Sequence, residues 1–165
     1  MTEVVTYVEM TARDQLLPSA AVEGVGLSLE PPGDPVIRPL LARVAAPHAW
    51  PSLMWTDEQW TAWFAEPRRR LWSVRVDGAP VGVAELEAQQ GPAVEIASFG
   101  LVPEFVGRGI GGYALTLAIE QAWRFDPTGD GPANRVWLHT STLDHPHALQ
   151  NYQRRGFRPY HTETR

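Results

Sequence analysis

The sequence predicts a single domain of the α/β (α+β) class, spanning residues 1–165, in which helices flank a sheet with antiparallel strand pairs. A nearly continuous apolar run at residues 94–102 is typical of a strand covered on both faces. A glycine-rich turn and a helical pattern from Tyr113 follow it. Before it, residues 71–76 and 80–88 have strand patterns joined by the hairpin dipeptide Asp77-Gly78. A chain of 165 residues is long enough for one such core.

The other elements follow from local signals along the chain. Thr56 and Gln59 form a capping-box pattern at the start of a helix. Gly156 ends a helix predicted at residues 146–155, with Pro146 in its first position. Apolar residues at helical spacing predict another helix at residues 36–46. The remaining strands are predicted at residues 3–9, 24–30, 135–141 and 157–162.

Composition and charge narrow the classes of function. The net charge of −5 argues against non-specific binding of nucleic acid and is compatible with a cationic acceptor. The absence of cysteine excludes disulfides, thiolate metal sites and a cysteine nucleophile. No apolar run approaches the roughly 20 residues of a membrane span, and the N-terminal segment lacks a basic region followed by an apolar block. We therefore expect no membrane partner, no signal peptide and a cytoplasmic location.

A cluster of glycines follows the apolar strand. Gly107, Gly109, Gly111 and Gly112 lie directly before the helix that starts near Tyr113. The first N–H groups of a helix have no partner inside it, and the peptide dipoles place partial positive charge there. Because glycines lack Cβ atoms, several N–H groups can approach one anion. The pattern therefore favours a phosphate or pyrophosphate site over a purely structural turn.

Two familiar phosphate motifs fit this loop poorly. A P-loop needs a lysine at the start of the helix, and the chain contains no lysine. The dinucleotide fingerprint G-x-G-x-x-G is met by Gly107, Gly109 and Gly112. That fingerprint also needs an acidic residue about 20 positions further on. The nearest candidates, Asp126 and Asp130, lie in a loop rich in proline and glycine.

A third motif fits better. The segment 106–111 resembles [Gln/Arg]-x-x-Gly-x-[Gly/Ala], the acyl-CoA pyrophosphate loop of the GNAT superfamily of N-acyltransferases, except that Val106 replaces the usual Gln or Arg. The segment 148–157 resembles a second family motif, A-x-x-x-Y-x-x-x-G-F. His145 stands where the family often has an asparagine that contacts the pantetheine arm. Two motifs in the right order are more specific than either motif alone.

The resemblance implies a fold, a reaction and a set of binding residues. The fold is a central mixed, mostly antiparallel sheet flanked by helices. The reaction moves a short acyl group from acetyl-CoA, or another short acyl-CoA, to a small-molecule or peptide primary amine, without a metal. Since no cysteine can form an acyl-enzyme, we expect direct transfer in a ternary complex. Homodimers are common in the family and are one expected state here. The implied cofactor-binding residues are Leu101, Val102, Val106, Gly107, Arg108, Gly109, Ile110, Gly111, Gly112, His145 and Tyr152.

Acyl transfer to an amine requires a base for the ammonium, a donor for the oxyanion and an acid for the thiolate. By resemblance, Tyr152 is the candidate acid, a role compatible with packing in the core. Glu95 is the candidate base, since it precedes Gly109 by 14 residues, the offset found in the histone-acetylating branch of the superfamily. Its apolar neighbours should raise its pKa through desolvation. There are three alternatives. Glu95 is an exposed strand residue without a catalytic role, the amine is deprotonated through a water chain, or Glu85 or Glu87 is the base.

The family also implies the position of the oxyanion donor. It would be a backbone N–H near Leu101 and Val102, where the central strand bulges and separates from its parallel neighbour at residues 135–141. The resulting gap would admit the pantetheine arm, whose amides would bond the free strand edge like an added strand.

Histidines and tryptophans near these motifs have competing interpretations. We interpret His139 as a hydrogen-bonded core residue in preference to a base or an acceptor contact. A metal site at His145 and His147 is rejected, because adjacent histidines across a helix start do not converge and no cysteine or carboxylate cluster completes four ligands. Trp50 and Trp55 could line a pocket for a cationic or aromatic acceptor. We favour the other interpretation, in which both tryptophans pack in the core.

Two other functions fit parts of the sequence. A non-catalytic module that binds or senses acyl-CoA on the same fold is favoured by the departures at Val106 and His145. Its signature would be CoA binding without thioester turnover. A small dinucleotide-binding protein rests on the formal G-x-G-x-x-G match alone. Its signature would be a preference for NAD over CoA.

Overall fold

A computed structural model of the chain describes residues 2–33 and 35–165. Short 3-10 turns lie at Arg13–Gln15, Ala46–His48, Pro51–Met54 and Pro103–Phe105. The strands and helices, in chain order, are β1 (Val4–Met10), β2 (Val25–Glu30), α1 (Ile37–Ala45), α2 (Asp57–Ala65), β3 (Arg69–Val76), β4 (Ala79–Gln89), β5 (Ala93–Leu101), α3 (Gly111–Arg124), β6 (Arg135–Ser141), α4 (Ala148–Arg154) and β7 (Arg158–Thr164). This is the predicted order of strands and helices.

The strands form one seven-stranded sheet in the order β2-β3-β4-β5-β6-β1-β7. Neighbouring strands are antiparallel except β5 and β6, which are parallel. The prediction of a mixed, mostly antiparallel sheet is therefore confirmed. Strand β1 lies between β6 and β7, so the first strand of the chain pairs with the last. The backbones of Glu3 and Arg165 extend this pairing through two N–H···O bonds of 3.0 and 2.8 Å.

Helices pack on both faces of the sheet, because its strands direct alternate side chains to opposite faces. On β3, Trp72 belongs to a core cluster that includes residues of α3 and α4. Its neighbour Leu71 belongs to a second cluster, formed with α1 and α2. In that second cluster Trp60 and Trp63 are buried, with ring centroids 5.4 Å apart. The two clusters together fix the position of β5, the central strand of the sheet.

Several element boundaries differ from the predicted ones by one or two residues, among them the start of α4 and the end of β7. Helix α4 begins at Ala148, and Pro146 lies in the preceding turn, which a bond from the N–H of Ala148 to the carbonyl of His145 closes at 2.9 Å. Strand β7 continues to Thr164, where it faces Val4 of β1. Pairing with a distant strand extends β7, and a local sequence pattern does not contain that information.

Gly156, directly after α4, is a position where the fold requires glycine. Its φ is +104°, and a Cβ atom there would overlap the carbonyl oxygen of Gln15. We expect Gly156→Ala to lower the free energy of unfolding by about 3 kcal/mol or more, since steric overlap adds to the cost of left-handed backbone. Urea denaturation of the purified variant measures this loss.

Gly91→Ala is the matched control for Gly156→Ala. Gly91 has a φ of +83°, and nothing lies within 4 Å of the point that a Cβ atom would occupy there. We expect this variant to lose only about 1–2 kcal/mol, the cost of the backbone conformation itself. Equal losses at the two positions would contradict the steric part of the explanation.

Candidate functional site

Strands β5 and β6 pair over a short stretch and then separate. Their parallel register joins Ala93–Glu95 to Arg135–Trp137. On the other side of β5, Ser98 faces Glu85 and Ile96 faces Leu86, so Ala97 is an extra residue that forms a β-bulge. The prediction placed this bulge near Leu101 and Val102, and the structure places it at Ala97. Beyond the bulge, the edge of β5 toward β6 has no strand partner in the part of the chain that the structure describes.

A cavity of about 610 Å³ lies beside this gap. It is bounded by the end of β5, the glycine loop, the start of α4 and the connector between α1 and α2. A second cavity, of about 320 Å³, lies between the β4–β5 turn and the loop after α3 and contains none of the predicted site residues. Besides predicted residues, the lining of the larger cavity includes Ser19, His48, Phe99, Asp144 and Arg155.

The glycine loop has the geometry of an anion site. Gly107 and Gly109 both have a φ of +80°, and nothing lies within 4 Å of a Cβ built on either residue. Helix α3 begins at Gly111, and the first N–H of the helix to find a backbone acceptor is that of Ala114, which bonds the carbonyl of Ile110 at 2.9 Å. The N–H groups before Ala114 are therefore available to a ligand. Open space and unpaired donors at one helix start suit a diphosphate.

Most of the predicted cofactor residues surround this cavity. Val102, Arg108 and Ile110 do not line it: Val102 and Ile110 are buried, and the guanidinium of Arg108 stacks over the Phe105 ring at 4.7 Å. The residues that line it are Leu101, Val106, Gly107, Gly109, Gly111, Gly112, His145 and Tyr152.

The two candidate oxyanion donors differ in availability. The N–H of Val102 donates to the carbonyl of Val81 at 2.8 Å, which corrects the prediction for this residue. Successive N–H groups of a strand point to opposite sides. The N–H of Leu101 therefore points away from β4, toward the gap between β5 and β6. Of the two predicted donors, Leu101 is the one left free to bind an oxygen there.

Tyr152 lies in the wall of the cavity, on α4. The residue is 8% exposed, and its ring packs against Phe157 with centroids 6.1 Å apart. Burial, followed by the charge of Asp144, raises the pKa of Tyr152 above its ordinary value. The phenol therefore keeps its proton at neutral pH, which is the state that an acid must have before it donates.

Glu95 is the last residue of β5 that pairs with β6 before the gap. Its Oε1 accepts a hydrogen bond from Nε2 of Gln89 at 2.9 Å, and Oε1 of Gln89 accepts one from Nε1 of Trp137 at 3.1 Å. Burial raises the pKa of Glu95 to about 7, and the charges of Glu87 and Glu85 add to the effect. A carboxyl with this pKa exchanges its proton readily near neutral pH.

The alternative bases, Glu85 and Glu87, are both held by Arg69. Nε of Arg69 lies 2.8 Å from Oε2 of Glu85, and Nη2 lies 3.0 Å from Oε2 of Glu87. Glu85 is buried and also accepts hydrogen bonds from Ser98 Oγ at 2.7 Å and Trp63 Nε1 at 3.2 Å. Among the described residues, Glu95 is thus the member of this carboxylate group without an arginine partner.

His139 is not a core residue, and its prediction as one was wrong. Its side chain is 43% exposed, and its Nε2 lies 3.8 Å from Oε2 of Glu95. The reason is strand alternation on β6: Val136 and Leu138 are buried on one face, whereas Trp137 and His139 lie on the other. Burial of part of the ring lowers the pKa of His139, so the ring is mostly neutral near pH 7.

The connector between α1 and α2 is fastened across the cavity by Trp50. Nε1 of Trp50 donates to Oδ1 of Asp144 at 2.9 Å, and the rim of its ring lies beside Gly100 of β5. Trp55 packs on Trp60 with ring centroids 5.0 Å apart. Trp50 therefore belongs to the cavity wall, whereas Trp55 belongs to the tryptophan core.

Several residues of the cavity wall were not predicted, among them Ser19, Asp144 and Arg155. Ser19 lies far from every motif in the sequence, and the bond from its backbone N–H to Oγ1 of Thr116, 3.0 Å long, places it beside α3. Arg155 offered a usable signal, because it follows Tyr152 by three positions and therefore shares its helix face.

Among residues 2–33 and 35–165, no three His, Asp or Glu side chains are placed to hold a metal ion. Within the same ranges, no helix has both the length and the apolar character that crossing a membrane requires.

Comparison with known proteins gives a consistent result. The family model described as "Acetyltransferase (GNAT) family" matches residues 40–157. A GCN5-related N-acetyltransferase from Sphaerobacter thermophilus is similar in structure with a TM-score of 0.72 at 17% identity, over 98% of this chain and 50% of that one. A GCN5-related N-acetyltransferase from Kribbella flavida has a TM-score of 0.63 at 20% identity, over 98% of this chain and 56% of that one. An IAA acetyltransferase from Bacillus cereus has a TM-score of 0.57 at 20% identity, over 83% of this chain and 79% of that one.

The chain spans about half the length of the first two of these structures. No curated protein matches it.

Proposed function

Because the chain belongs to the GNAT acetyltransferase family, we propose that it transfers a short acyl group from an acyl-CoA to a primary amine, directly and in a ternary complex. One observation carries the proposal. The open N–H groups of the glycine loop and the Tyr152 side chain belong to one cavity, beside the unpaired edge of β5. Such a cavity suits a long ligand that has a diphosphate at one end and a reactive thioester at the other.

The residues present fit acyl-CoA as the co-substrate. Gly107, Gly109 and the N–H groups at the start of α3 would hold the diphosphate. The free edge of β5 would bond the amides of the pantetheine arm. The thioester supplies an activated acyl group when acyl-CoA is bound. The Leu101 N–H would then stabilise the oxyanion that develops as the amine attacks.

Two protons must move for the reaction to balance. The acceptor ammonium loses one, and Glu95 is the proposed base because burial brings its pKa to about 7. Deprotonation through water is the alternative that the chain leaves open, because Glu95 itself does not line the cavity. The thiolate that leaves gains the second proton, which the neutral phenol of Tyr152 would donate.

Replacing Tyr152 by phenylalanine tests the proposed acid. We expect kcat for Tyr152→Phe to fall roughly 100-fold, since general acid–base groups contribute about that much or more. The affinity for CoA should change little, because the ring and its contact with Phe157 are kept. Steady-state assay of thiol release and calorimetry with CoA give the two quantities. An unchanged kcat would remove Tyr152 from the mechanism.

A non-catalytic acyl-CoA-binding module is the second candidate function. The observation that favours it is Val106, an exposed apolar residue of the cavity wall that offers no polar contact to a phosphate. Calorimetry with acetyl-CoA, CoA and NAD, followed by thiol release with a panel of amines, separates the candidates. Turnover with any amine supports the enzyme, and tight acetyl-CoA binding without turnover supports the module. A preference for NAD, or no binding, would contradict both.

A further inference from the structure

Arg155, the residue that caps α4, has its side chain in the wall of the cavity. Its Nε is buried and has no hydrogen-bond acceptor among the residues that the structure describes. No ion pair joins it to an aspartate or glutamate in the described ranges. Buried charges are costly unless they are paired, and an unsatisfied buried donor in a native structure calls for an explanation. A ligand with negative charge would supply one.

The Arg155 guanidinium lies beside the start of α3. Its Nη1 is 3.2 Å from the position that a Cβ on Gly112 would occupy, and Oγ of Ser19 is 3.1 Å from the same point. The N–H of Gly112 belongs to the group before Ala114 that has no acceptor within the helix. A guanidinium, a hydroxyl and a backbone N–H therefore meet at one spot on the cavity wall.

Hydrogen bonds fix the backbone at both residues. The N–H of Leu17 donates to the carbonyl of Arg155 at 2.9 Å, which ties the segment before Ser19 to the end of α4. The N–H of Ser19 in turn bonds Oγ1 of Thr116 on α3 at 3.0 Å. The segment therefore bridges the two helices, and the backbones that carry the two polar side chains lie close together in the free protein.

The charges that face the cavity agree with an anionic ligand. Arg154 and Arg155 line it, with three histidines and a single carboxylate, that of Asp144. Asp144 is already engaged, because it accepts hydrogen bonds from Trp50 and Thr140. The cavity thus has an excess of positive side chains in a chain whose net charge is −5.

We infer that Arg155 and Ser19 bind the diphosphate of acyl-CoA, beside the N–H groups at the start of α3. The inference rests on the proposed function for the identity of the ligand. Val106 cannot make polar side-chain contacts with the diphosphate. In this inference, Arg155 at the end of α4 and Ser19 in the segment before β2 make them instead. Arg155 is suited to this role because a guanidinium binds two phosphate oxygens at once.

Calorimetric titration of the Arg155→Gln variant tests the inference. The probes are CoA, dephospho-CoA, which keeps the diphosphate but lacks the 3′-phosphate, and pantetheine, which has neither. We expect Arg155→Gln to weaken CoA and dephospho-CoA equally, by roughly 10- to 100-fold, as charged hydrogen bonds do. Pantetheine should be unaffected. Ser19→Ala should show the same pattern with a smaller loss.

Arg158→Gln is the matched control, because Arg158 lies exposed on β7 and outside the cavity, and its removal changes the net charge equally. Loss of affinity for CoA alone would assign Arg155 to the 3′-phosphate and overturn the inference. So would an equal loss for pantetheine, or none for any probe. If the unsubstituted chain binds neither CoA nor dephospho-CoA, the proposed function itself fails.

Foldedness is checked by thermal unfolding without ligand. An unpaired cation contributes no ion pair to the free protein, so Arg155→Gln should unfold at the temperature of the unsubstituted chain or above it. Arg155→Lys keeps the charge and should recover part of the affinity for the two diphosphate probes. A failure of lysine to recover any affinity, with folding intact, would contradict a role in binding charge.

Discussion

Gly109→Glu is expected to abolish measurable binding of CoA. Gly109 lines the cavity at a φ of +80°, with open space where a side chain would begin. A glutamate there would place a negative charge in the proposed diphosphate site. Two like charges about 4 Å apart repel by about 4 kcal/mol at the effective dielectric constant of a protein surface, which corresponds to roughly 1,000-fold in affinity. Calorimetric titration with CoA measures the loss.

Two controls separate the charge from the backbone strain. Gly109→Ala has the same left-handed backbone without the charge and should retain most of the CoA affinity if the variant is folded. Gly78→Glu adds a glutamate at a φ of +85°, also into open space, in the β3–β4 hairpin and outside the cavity. It should bind CoA normally. Normal CoA affinity in Gly109→Glu would mean that the glycine loop does not hold the diphosphate.

The elements that the sequence predicted best are those specified by neighbouring residues. The capping box at Thr56 is present: the N–H of Gln59 donates to Oγ1 of Thr56 at 3.2 Å, and the N–H of Thr56 donates to Oε1 of Gln59 at 2.8 Å. Asp77-Gly78 forms the predicted turn, with positive φ at both residues. Such signals act within a few residues, so they can be recognised without knowledge of the rest of the fold.

Features that depend on distant strands could not be predicted in this way. The position of β1 between β6 and β7 depends on pairing across almost the whole chain, as between Val5 and Ser141. The bulge at Ala97 depends on the register of β4 against β5. No residue type marks either feature. At the bulge, for example, alanine is compatible with both regular and bulged strands.

The candidate site divides along the same line. The glycine loop and Tyr152 were predicted from motifs, and the structure brings them to one cavity. Position 106, where the family motif has Gln or Arg, is Val106 here, and the arginines that line the cavity, Arg154 and Arg155, come from the end of α4. Ser19 reaches the cavity through a loop between β1 and β2 that has no recognisable pattern. Side chains that converge from separate elements become visible only in the folded structure.

Glu95→Gln is expected to have the largest effect on turnover. We expect kcat/KM at pH 8 to fall by about 100- to 10,000-fold if the carboxylate is the base. In the unsubstituted protein, kcat/KM should rise with pH through about 7, because the base must lose its proton and its pKa is about 7. This inflection should be absent from any residual activity of the variant. Thiol-release assays across pH give both results.

Glu23→Gln, a change at an exposed glutamate of the loop before β2, is the control and should leave both the rate and the inflection unchanged. A full rate in Glu95→Gln would favour deprotonation through water. Loss of the rate with the inflection still present would assign the titration to another group. The groups to substitute next are His139, which faces Glu95, and the two carboxylates that raise the pKa of Glu95, Glu85 and Glu87.

The same substitution should stabilise the protein at high pH. Burial raises the pKa of Glu95 from an ordinary 4.5 to about 7, so the native state holds this proton more tightly than the unfolded state does. The free energy of unfolding of the unsubstituted protein therefore falls as pH rises between these values. The glutamine variant has no charge to desolvate. Above pH 7, its free energy of unfolding should exceed that of the unsubstituted protein by up to about 3 kcal/mol, since each unit of pKa is worth about 1.4 kcal/mol.

Urea denaturation near pH 5 and above pH 8 measures this difference. Near pH 5 the two proteins should differ little, because Glu95 is then mostly protonated in the native state. A glutamine can still accept the hydrogen bond from Gln89, so the fold keeps this contact. Lower stability of the variant above pH 7 would show that the ionised carboxylate is stabilised by its surroundings. A gain in stability with a loss of turnover would instead identify Glu95 as a residue kept for chemistry at a cost to the fold.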